Sequence, residues 1–256
     1  MKLRTALVQT DVEWGDLGAN LDAAGRAVRD ADASLVVLPE MFNLGYDPAA
    51  GERAEPPGGP TSRWMSETAA RFGKAVTGSF AVCENGRVYN RMLFAFPDGR
   101  AESYDKRHLF SFSGENMRLA SGSRRTVVEW GGFRILLQVC YDLRFPVWTR
   151  ARCPYEYDLI LYVASWDRSR IGVWDILLKA RAIENQCYVA GVNRVGTDPP
   201  GSYDGHSVGV DYFGRTVASL PENVAGTVVA EFDLDALRAY RDRFRAWADA
   251  DRFTLE

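Results

Sequence analysis

One segment in the second half of the chain, residues 133–146, reads FRILLQVCYDLRFP. Its first part, Phe133 to Cys140, is a short apolar run with the length of a buried strand, and polar residues follow it directly. We therefore expect Cys140 at a junction between a strand and a turn. Such a junction can expose the thiol and leave the backbone N–H of Tyr141 unpaired, which suits an oxyanion donor. The alternative is a buried structural thiol, the commonest fate of a free cysteine.

Other short apolar runs predict further buried strands. They are Leu3 to Gln9, Ser34 to Pro39, Leu159 to Ala164, Tyr188 to Asn193 and Thr227 to Phe232. The turn signals Asn-Gly and Asp-Gly, within residues 84–87 and 97–100, predict two hairpins that join residues 75–83, 88–96 and 101–104. A further hairpin is predicted over Ser207 to Leu220.

Helical spacing of apolar residues predicts four helices. They are Asn20 to Asp30, Thr61 to Phe72, Val173 to Gln186 and Leu234 to Ala248, with Thr61 as the N-cap of the second. Pro48 to Pro60 and Ser111 to Arg125 are expected to be loops. This mixture of buried strands, hairpins and helices indicates layered sheets that are covered by helices.

Composition limits the functions that the chain can have. Its 256 residues are enough for one large domain or two small ones with a sizeable core, and 46% apolar with 25% charged residues is typical of a soluble globular protein. A net charge of −3 and scattered basic residues argue against nucleic acid or an anionic membrane as a partner. The N-terminus does not resemble a signal peptide, and no run approaches the roughly 18 apolar residues of a membrane span. We therefore expect a cytoplasmic protein.

The cysteines and histidines indicate neither disulfides nor a metal site. Cys83, Cys140, Cys153 and Cys187 form no C-x-x-C pair, so we expect four thiols. The chain has only two histidines, His108 and His206, and no cysteine cluster, which argues against zinc.

Two further reactive residues stand at predicted strand ends. Glu40 follows the buried run Leu-Val-Val-Leu-Pro, and Lys106 follows the second predicted hairpin. Taken singly, Glu40 could be an ordinary carboxylate that meets solvent, and Lys106 could belong to a solvated basic cluster. In layered α/β folds, however, active sites form at strand ends.

Together the three residues form a chemically complete set. A thiol with an ordinary pKa of about 8.5 is mostly protonated at neutral pH, so it needs a base. The Glu40 carboxylate can take the Cys140 proton and later deliver it to a leaving amine. Lys106 and a backbone N–H can stabilise the oxyanion. A Cys–His dyad that uses His108 or His206 is the alternative.

Three segments carry a resemblance to a known family. Residues 39–42 (PEMF), 104–110 (YDKRHLF) and 139–146 (VCYDLRFP) resemble the signature segments of the nitrilase superfamily of carbon–nitrogen hydrolases. The spacing agrees as well, with 66 residues from Glu40 to Lys106 and 34 from Lys106 to Cys140. The resemblance extends along the whole chain and is strongest to bacterial omega-amidases, which hydrolyse the side-chain amide of 2-oxo acids.

This resemblance implies a fold and a set of roles. The fold is a four-layer α-β-β-α sandwich in a single carbon–nitrogen hydrolase domain over residues 1–256. Glu40, Lys106 and Cys140 become the triad, and Glu115 matches a second glutamate that often contributes to the site. The family needs no metal or organic cofactor and usually forms homodimers or larger homo-oligomers. One departure from the family pattern is Asp167, which stands where many members carry proline.

The implied substrate is a small amide that carries a carboxylate, such as 2-oxoglutaramate or 2-oxosuccinamate. Arg144 is the nearest cation to the nucleophile in sequence and is expected to bind that carboxylate; a structural ion pair with Asp142 or another acid is the alternative. The expected apolar walls of the pocket are Phe42, Tyr46, Phe112 and Trp166, each of which could instead be plain core. The same triad would also serve another small amide, a nitrile or an N-carbamoyl substrate. The scaffold could also be a non-catalytic binding protein.

Overall fold

The computed structural model describes residues 1–152 and 154–254. Its helices are α1 (Leu17–Asp30), α2 (Pro60–Phe72), α3 (Pro146–Thr149), α4 (Ile171–Asn185) and α5 (Leu234–Arg243). Its strands are β1 (Lys2–Gln9), β2 (Leu35–Val37), β3 (Ala75–Glu84), β4 (Arg87–Ala95), β5 (Ala101–Asp105), β6 (Val127–Trp130), β7 (Phe133–Val139), β8 (Leu159–Ala164), β9 (Tyr188–Asn193), β10 (Val195–Asp198), β11 (Gly201–Asp204), β12 (Val208–Val210), β13 (Thr216–Ser219) and β14 (Gly226–Asp233).

The strands form two six-stranded sheets and one separate hairpin. The first sheet has the order β14-β1-β2-β3-β4-β5, the second has the order β13-β12-β9-β8-β7-β6, and β10 pairs with β11 in a two-stranded sheet. Each large sheet contains three adjacent parallel strands, β1-β2-β3 in the first and β7-β8-β9 in the second. Parallel strands bring their carboxyl ends to one edge of a sheet, so the segments that follow β2, β7 and β8 are the natural places for a site.

The two sheets pack face to face and helices cover their outer faces. Leu7, Leu35 and Phe94 of the first sheet belong to the same buried cluster as Ile135 and Leu161 of the second. A separate cluster joins the other face of the first sheet to α1 and α2. On the far side, α4 lies against the second sheet. This arrangement confirms the predicted four-layer sandwich.

A glycine allows α4 to approach the second sheet closely. A Cβ atom built on Gly191 in β9 would lie 2.5 Å from the Leu178 side chain and 2.8 Å from Trp174, both on α4. Both helix residues are fully buried. Any larger residue at position 191 would therefore push the helix away from the strands that carry the site.

Several predicted boundaries need correction. Strand β7 ends at Val139, and Cys140 begins a 3₁₀ turn, Cys140–Arg144. Helix α2 begins at Pro60 with Gly59 as its N-cap, because the Thr61 hydroxyl is directed instead to the Glu55 carboxylate. Helix α5 ends at Arg243, and a 3₁₀ turn, Ala246–Asp249, follows it.

Several short elements are not predicted by the sequence patterns. Strand β6, the hairpin β10–β11 and helix α3 were not predicted, and the loops at 48–60 and 111–125 contain 3₁₀ turns. The expectation of free thiols is confirmed for Cys83, Cys140 and Cys187, whereas Cys153 lies outside the described residues. No helix in the described part of the chain is both long and apolar enough to cross a membrane.

Candidate active site

Cys140 occupies a sharp junction between β7 and the 3₁₀ turn. Its φ of +46° is left-handed, a region that non-glycine residues rarely adopt and that is often found at functional sites. Buried Asp142 fixes the junction, because its carboxylate accepts the Val139 N–H at 3.1 Å and the Tyr104 hydroxyl at 2.8 Å. The backbone N–H of Tyr141 stands at the start of this 3₁₀ turn. The first N–H groups of such a turn have no acceptor within it.

Glu40 follows β2 and is completely buried between the two sheets. Its Oε1 accepts hydrogen bonds from Lys106 Nζ at 2.9 Å and from Asn90 Nδ2 at 2.8 Å. Its Oε2 accepts the Ser165 N–H at 2.8 Å. Oε1 thus has two donors and Oε2 has one, so Oε2 keeps more capacity to accept a proton.

Lys106 follows β5 and lies between two carboxylates. Its Nζ is 2.9 Å from Glu40 Oε1 and 2.9 Å from Glu115 Oε2, and the side chains of all three residues are fully buried. Glu115 begins a 3₁₀ turn, Glu115–Met117, and its Oε2 also accepts the Phe110 N–H at 2.6 Å. Two carboxylates therefore share one ammonium group and the Asn90 amide, which donates to both.

The buried charges set the protonation states of the lysine and the cysteine. Burial works to lower the pKa of Lys106, but the charges of Glu115 and Glu40 outweigh it and raise that pKa well above its ordinary value. Burial also raises the pKa of Cys140, and the Glu40 charge raises it further, while Lys106 opposes both. At neutral pH the site therefore holds an ammonium group and a neutral thiol, which becomes a nucleophile only when a base takes its proton.

Cys140 and Lys106 line one cavity with a volume of about 250 Å³. Five other residues that the sequence singled out also line it: Tyr46, Phe112, Tyr141, Arg144 and Trp166. The remaining lining comes from residues that were not predicted as site residues: Phe110, Ser113, Ser165, Asp167, Arg170, Pro200 and Tyr203. The cavity thus has a chemical end with a thiol and a cation, and walls that combine aromatic rings with two arginines.

Comparison with known proteins agrees with this geometry. The family description "Carbon-nitrogen hydrolase" matches residues 4–242. The chain belongs to the carbon–nitrogen hydrolase family. It is 44% identical to the omega-amidase YafV of Yersinia enterocolitica and 42% identical to that of Escherichia coli K12, each over 99% of this chain and 98% of the relative. It is 35% identical to the 2-oxoglutaramate amidase of Bacillus subtilis, over 97% of this chain and 98% of the relative.

Solved structures show the same fold. XC1258 from Xanthomonas campestris, a CN-hydrolase superfamily protein with an arsenic adduct in its active site, superposes with a TM-score of 0.96 at 43% identity over 100% of both chains. A cysteine-to-alanine mutant of a Nesterenkonia amidase from the nitrilase superfamily superposes with a TM-score of 0.80 at 29% identity, over 96% of this chain and 97% of that one. This carbon–nitrogen hydrolase is accordingly a cysteine-dependent enzyme with the α-β-β-α sandwich of its superfamily.

The prediction that Phe42 forms a wall of the pocket is wrong, because Phe42 does not line the cavity of this hydrolase. It belongs to the core between the first sheet and the helices α1 and α2, with its ring 5.8 Å from that of Trp64. Met41 has a left-handed φ of +46°, which turns the chain immediately after Glu40. A Cβ on Gly78 would lie 2.9 Å from the Phe42 ring, so this ring is tightly enclosed by core. The alternative considered for Phe42, plain core, is the correct one.

Arg144 makes no ion pair with Asp142. The Asp142 carboxylate is instead occupied by Tyr104, Val139 and His108, whose N–H and ring nitrogen lie 2.9 and 2.8 Å from Oδ1. The Arg144 guanidinium lies 5.6 Å from the centre of the Trp166 ring. Within residues 1–152 and 154–254, no acidic partner of Arg144 is found.

Arg170 is a second arginine at the cavity, and the sequence did not predict it. It lies over the rings of Phe110 and Phe112, at 5.3 and 6.0 Å, and its guanidinium is 3.8 Å from the Asp167 carboxylate. Its charge is therefore partly offset by an acid, unlike the charge of Arg144.

Neither histidine lines the cavity. His108 bonds to Asp142 and stacks on Phe145 with ring centres 3.8 Å apart, whereas His206 pairs with Asp175. The Cys–His alternative therefore has no support in the geometry. In the part of the chain that the structure describes, no three His, Cys, Asp or Glu side chains are grouped as metal ligands.

Asn90 and Ser165 are contacts of Glu40 that sequence reasoning did not find. Asn90 is a fully buried amide within the otherwise largely apolar strand β4, and Ser165 follows β8. A buried polar residue in a strand needs a partner, so an isolated asparagine at such a position was an available signal. Its actual partners, two carboxylates, depend on tertiary structure.

Proposed function

We propose that this carbon–nitrogen hydrolase is an omega-amidase that cleaves the terminal amide of a short 2-oxo dicarboxylic acid monoamide, such as 2-oxoglutaramate or 2-oxosuccinamate. The observation that carries the proposal is one small cavity lined by Cys140, by Lys106, which is paired with the buried Glu40 behind it, and by an arginine that has no described acidic partner. A substrate with an amide at one end and a carboxylate at the other matches both ends. The full-length similarity to proteins named omega-amidase and 2-oxoglutaramate amidase supports the same substrate class.

The first half of the proposed reaction forms a thioester. Glu40 takes the Cys140 thiol proton, on Oε2, and the sulfur attacks the amide carbon. Lys106 and the Tyr141 N–H stabilise the oxyanion of the tetrahedral intermediate. When the intermediate collapses, the C–N bond breaks, Glu40 returns the proton to the departing nitrogen, and ammonia leaves.

The second half restores the enzyme. Glu40 takes a proton from water, and the hydroxide attacks the thioester carbon. Collapse of this intermediate breaks the C–S bond and releases the dicarboxylic acid, while the proton on Glu40 returns to the Cys140 sulfur. Glu115 supports both halves, because its charge helps to keep Lys106 an ammonium group. No step requires a metal or an organic cofactor.

Arg144 is the proposed partner of the substrate carboxylate. Both cavity arginines could in principle pair with it, but Arg170 already shares its charge with Asp167. An arginine with its full charge available binds a carboxylate more strongly. Tyr46, Trp166 and Phe112 would then enclose the carbon chain between the two charged ends.

Ammonia release from a panel of amides tests the proposal. We expect 2-oxoglutaramate and 2-oxosuccinamate to be hydrolysed with a kcat/KM at least about tenfold above that of neutral amides of equal length. The Cys140→Ala variant should be inactive and should retain the wild-type melting temperature. Faster turnover of a nitrile, or carbon dioxide release from an N-carbamoyl substrate, would assign the same triad to another substrate. Full turnover by Cys140→Ala would refute the chemistry itself.

We further propose that the enzyme works in the cytoplasm as a homodimer or larger homo-oligomer. Helix α4 is apolar on more than its inner face, since Ile176 and Ile183 are exposed, and Phe213 is exposed nearby. A helix that is apolar on both sides is expected to be covered on both sides. Light scattering should show an oligomer, and Ile176→Glu should dissociate it.

A further inference from the structure

The cavity has one wall that belongs to neither large sheet. The hairpin β10–β11 is joined to the segment after β1 only by a bridge between Asp11 and Val195, within the described part of the chain, and it contributes Pro200 and Tyr203 to the lining. Trp166, Asp167 and Arg170, which follow β8, also line the cavity. Among the strands described above, no pairing joins this segment to the hairpin, so side-chain contacts must hold the two together.

The inner end of the hairpin is anchored in the core. Arg194, which is fully buried, pairs with the buried side chain of Asp198 and donates to the Val12 carbonyl at 3.0 Å. The Tyr203 hydroxyl donates to Asp198 Oδ1 at 3.0 Å, and the Arg194 guanidinium lies 4.5 Å from the Tyr203 ring centre. Buried Asn193 donates to the Trp166 carbonyl at 3.1 Å and to the Gly205 carbonyl at 2.8 Å, and so links the end of the hairpin to the segment after β8. These contacts hold the base of the wall.

Two adjacent residues that follow β8, Asp167 and Arg168, fasten β11 to that segment. Asp167 Oδ1 accepts the Ser169 N–H at 2.9 Å, and its Oδ2 accepts the Ser202 N–H of β11 at 3.4 Å. Arg168 donates twice to Asp204 Oδ1 of the same strand, at 2.7 and 2.9 Å.

The fit at this junction is close. A Cβ on Gly201 would lie 2.7 Å from Asp167 Oδ2, so β11 can approach the carboxylate only because residue 201 is glycine. The carboxylate of Asp167 and the backbone of β11 are therefore in direct contact at this junction.

We propose that Asp167 and Arg168 form a clasp that sets the width of the acyl pocket and so limits the length of the substrate. Both are positioning residues: they act on Tyr203 and Pro200 through the hairpin and take no part in the reaction. Loosening the clasp lets the wall move outward and admits a longer or bulkier acyl chain, while Cys140, Glu40 and Lys106 keep their geometry.

The first test compares monoamides of unbranched dicarboxylic acids with four, five and six carbons. One methylene group in a fitted pocket changes kcat/KM by roughly 10- to 200-fold. In Arg168→Ala we expect the preference for the five-carbon over the six-carbon amide to fall by about five- to tenfold, with kcat on the five-carbon amide within about twofold of the wild type. Asp167→Ala should lower the same preference, but its kcat is no control, because Asp167 itself lines the cavity beside Arg170. Asp98→Ala is the matched control, because Asp98 also accepts a backbone N–H and pairs with an arginine, Arg100, but lies in a surface turn.

A charge exchange separates the clasp from a general loss of stability. Arg168→Glu and Asp204→Arg should each relax the length preference, and the double variant should restore it. Unchanged length preference in folded Asp167→Ala and Arg168→Ala would overturn the proposal, as would an equal loss of kcat/KM on every amide.

The substrate series rests on the proposed function, so a second readout avoids that dependence. Alkylation of Cys140 by iodoacetamide and by a bulkier N-aryl iodoacetamide measures access to the same cavity without turnover. In the clasp variants we expect the alkylation rate with iodoacetamide, divided by the rate with the bulkier reagent, to fall by about five- to tenfold. If the wild type hydrolyses none of the amides, the proposed function fails, and an unchanged alkylation ratio alone would then overturn the clasp.

Discussion

The two ends of the cavity are built differently. At the chemical end, the side chains of Glu40, Lys106 and Glu115 are fully buried, and each accepts or donates at least two hydrogen bonds. The other end, called here the acyl end, would hold the carbon chain and carboxylate of the substrate. There Arg144 is exposed and has no described acidic partner, and the hairpin wall is held in part by the exposed Arg168. Buried groups that each make several hydrogen bonds are held in one arrangement, whereas exposed ion pairs are weaker and easier to replace. The chemistry is therefore fixed, and the choice of substrate is the adjustable part of the molecule.

The largest expected effect is the loss of the base at the chemical end. Glu40→Gln keeps the size of the side chain and can still be bonded by Ser165, but it cannot take the thiol proton. We expect kcat to fall by about 10³- to 10⁴-fold, measured by ammonia release, because general base catalysis of both half-reactions is lost. Glu102→Gln, on the exposed part of β5, is the control. Less than a tenfold loss in Glu40→Gln would show that another group is the base.

The next effect concerns the acyl end and should appear in KM. Arg144→Ala removes a charge-assisted contact, so we expect KM for 2-oxoglutaramate to rise by about 10- to 100-fold with kcat changed by less than about threefold. Arg170→Ala should raise KM by only about threefold, because Asp167 already offsets its charge. The exposed Arg124→Ala serves as control. Equal effects of the two cavity variants, or a larger effect of Arg170→Ala, would reverse the assignment.

A pH profile sharpens the comparison at the chemical end. The charges of Glu115 and Glu40 raise the pKa of Lys106 above its ordinary value, so the ammonium form persists as pH rises and Lys106 should cause no alkaline loss of kcat/KM below the ordinary lysine pKa of about 10.4. Glu115→Gln removes the charge with the larger effect on Lys106, which lets Lys106 lose its proton at lower pH. The alkaline limb of the profile should then move to lower pH. An unshifted limb in an active Glu115→Gln variant would mean that Glu115 does not maintain the ammonium group.

The smallest effect is expected at the mouth of the cavity. Phe112 is 85% exposed, so its ring has little buried area to lose. Phe112→Ala should change KM by no more than about threefold and leave kcat unchanged. A loss of tenfold or more would indicate that the ring becomes enclosed during turnover, as in a loop that closes over the substrate.

The chemical end was predictable from the sequence because its residues mark the ends of apolar runs. Glu40 and Cys140 each follow a run long enough for a buried strand, and Lys106 follows a hairpin with a strong turn signal. The structure brings all three together with Glu115. The order of the four layers came from the family resemblance rather than from the periodicity.

The acyl end was predicted less well, for physical reasons. Phe42 follows Glu40 in sequence, but one left-handed residue, Met41, directs it into the core. The hairpin β10–β11 has only four residues in each strand and few apolar ones, so no alternation of apolar and polar residues predicts it. Arg170 reaches the cavity through a 3₁₀ turn, Arg168–Arg170, whose position depends on contacts remote in sequence.

The central claim is that Cys140 carries the acyl group of an omega-amide during turnover. Intact-protein mass spectrometry after rapid acid quenching of the enzyme with 2-oxoglutaramate tests it most directly, with peptide mapping to locate the adduct. The account predicts a mass increase that equals the 2-oxoglutaryl group, mapped to Cys140 and absent from Cys140→Ala. An adduct on Cys83 or Cys187, or steady release of ammonia with the Cys140→Ala variant, would contradict it.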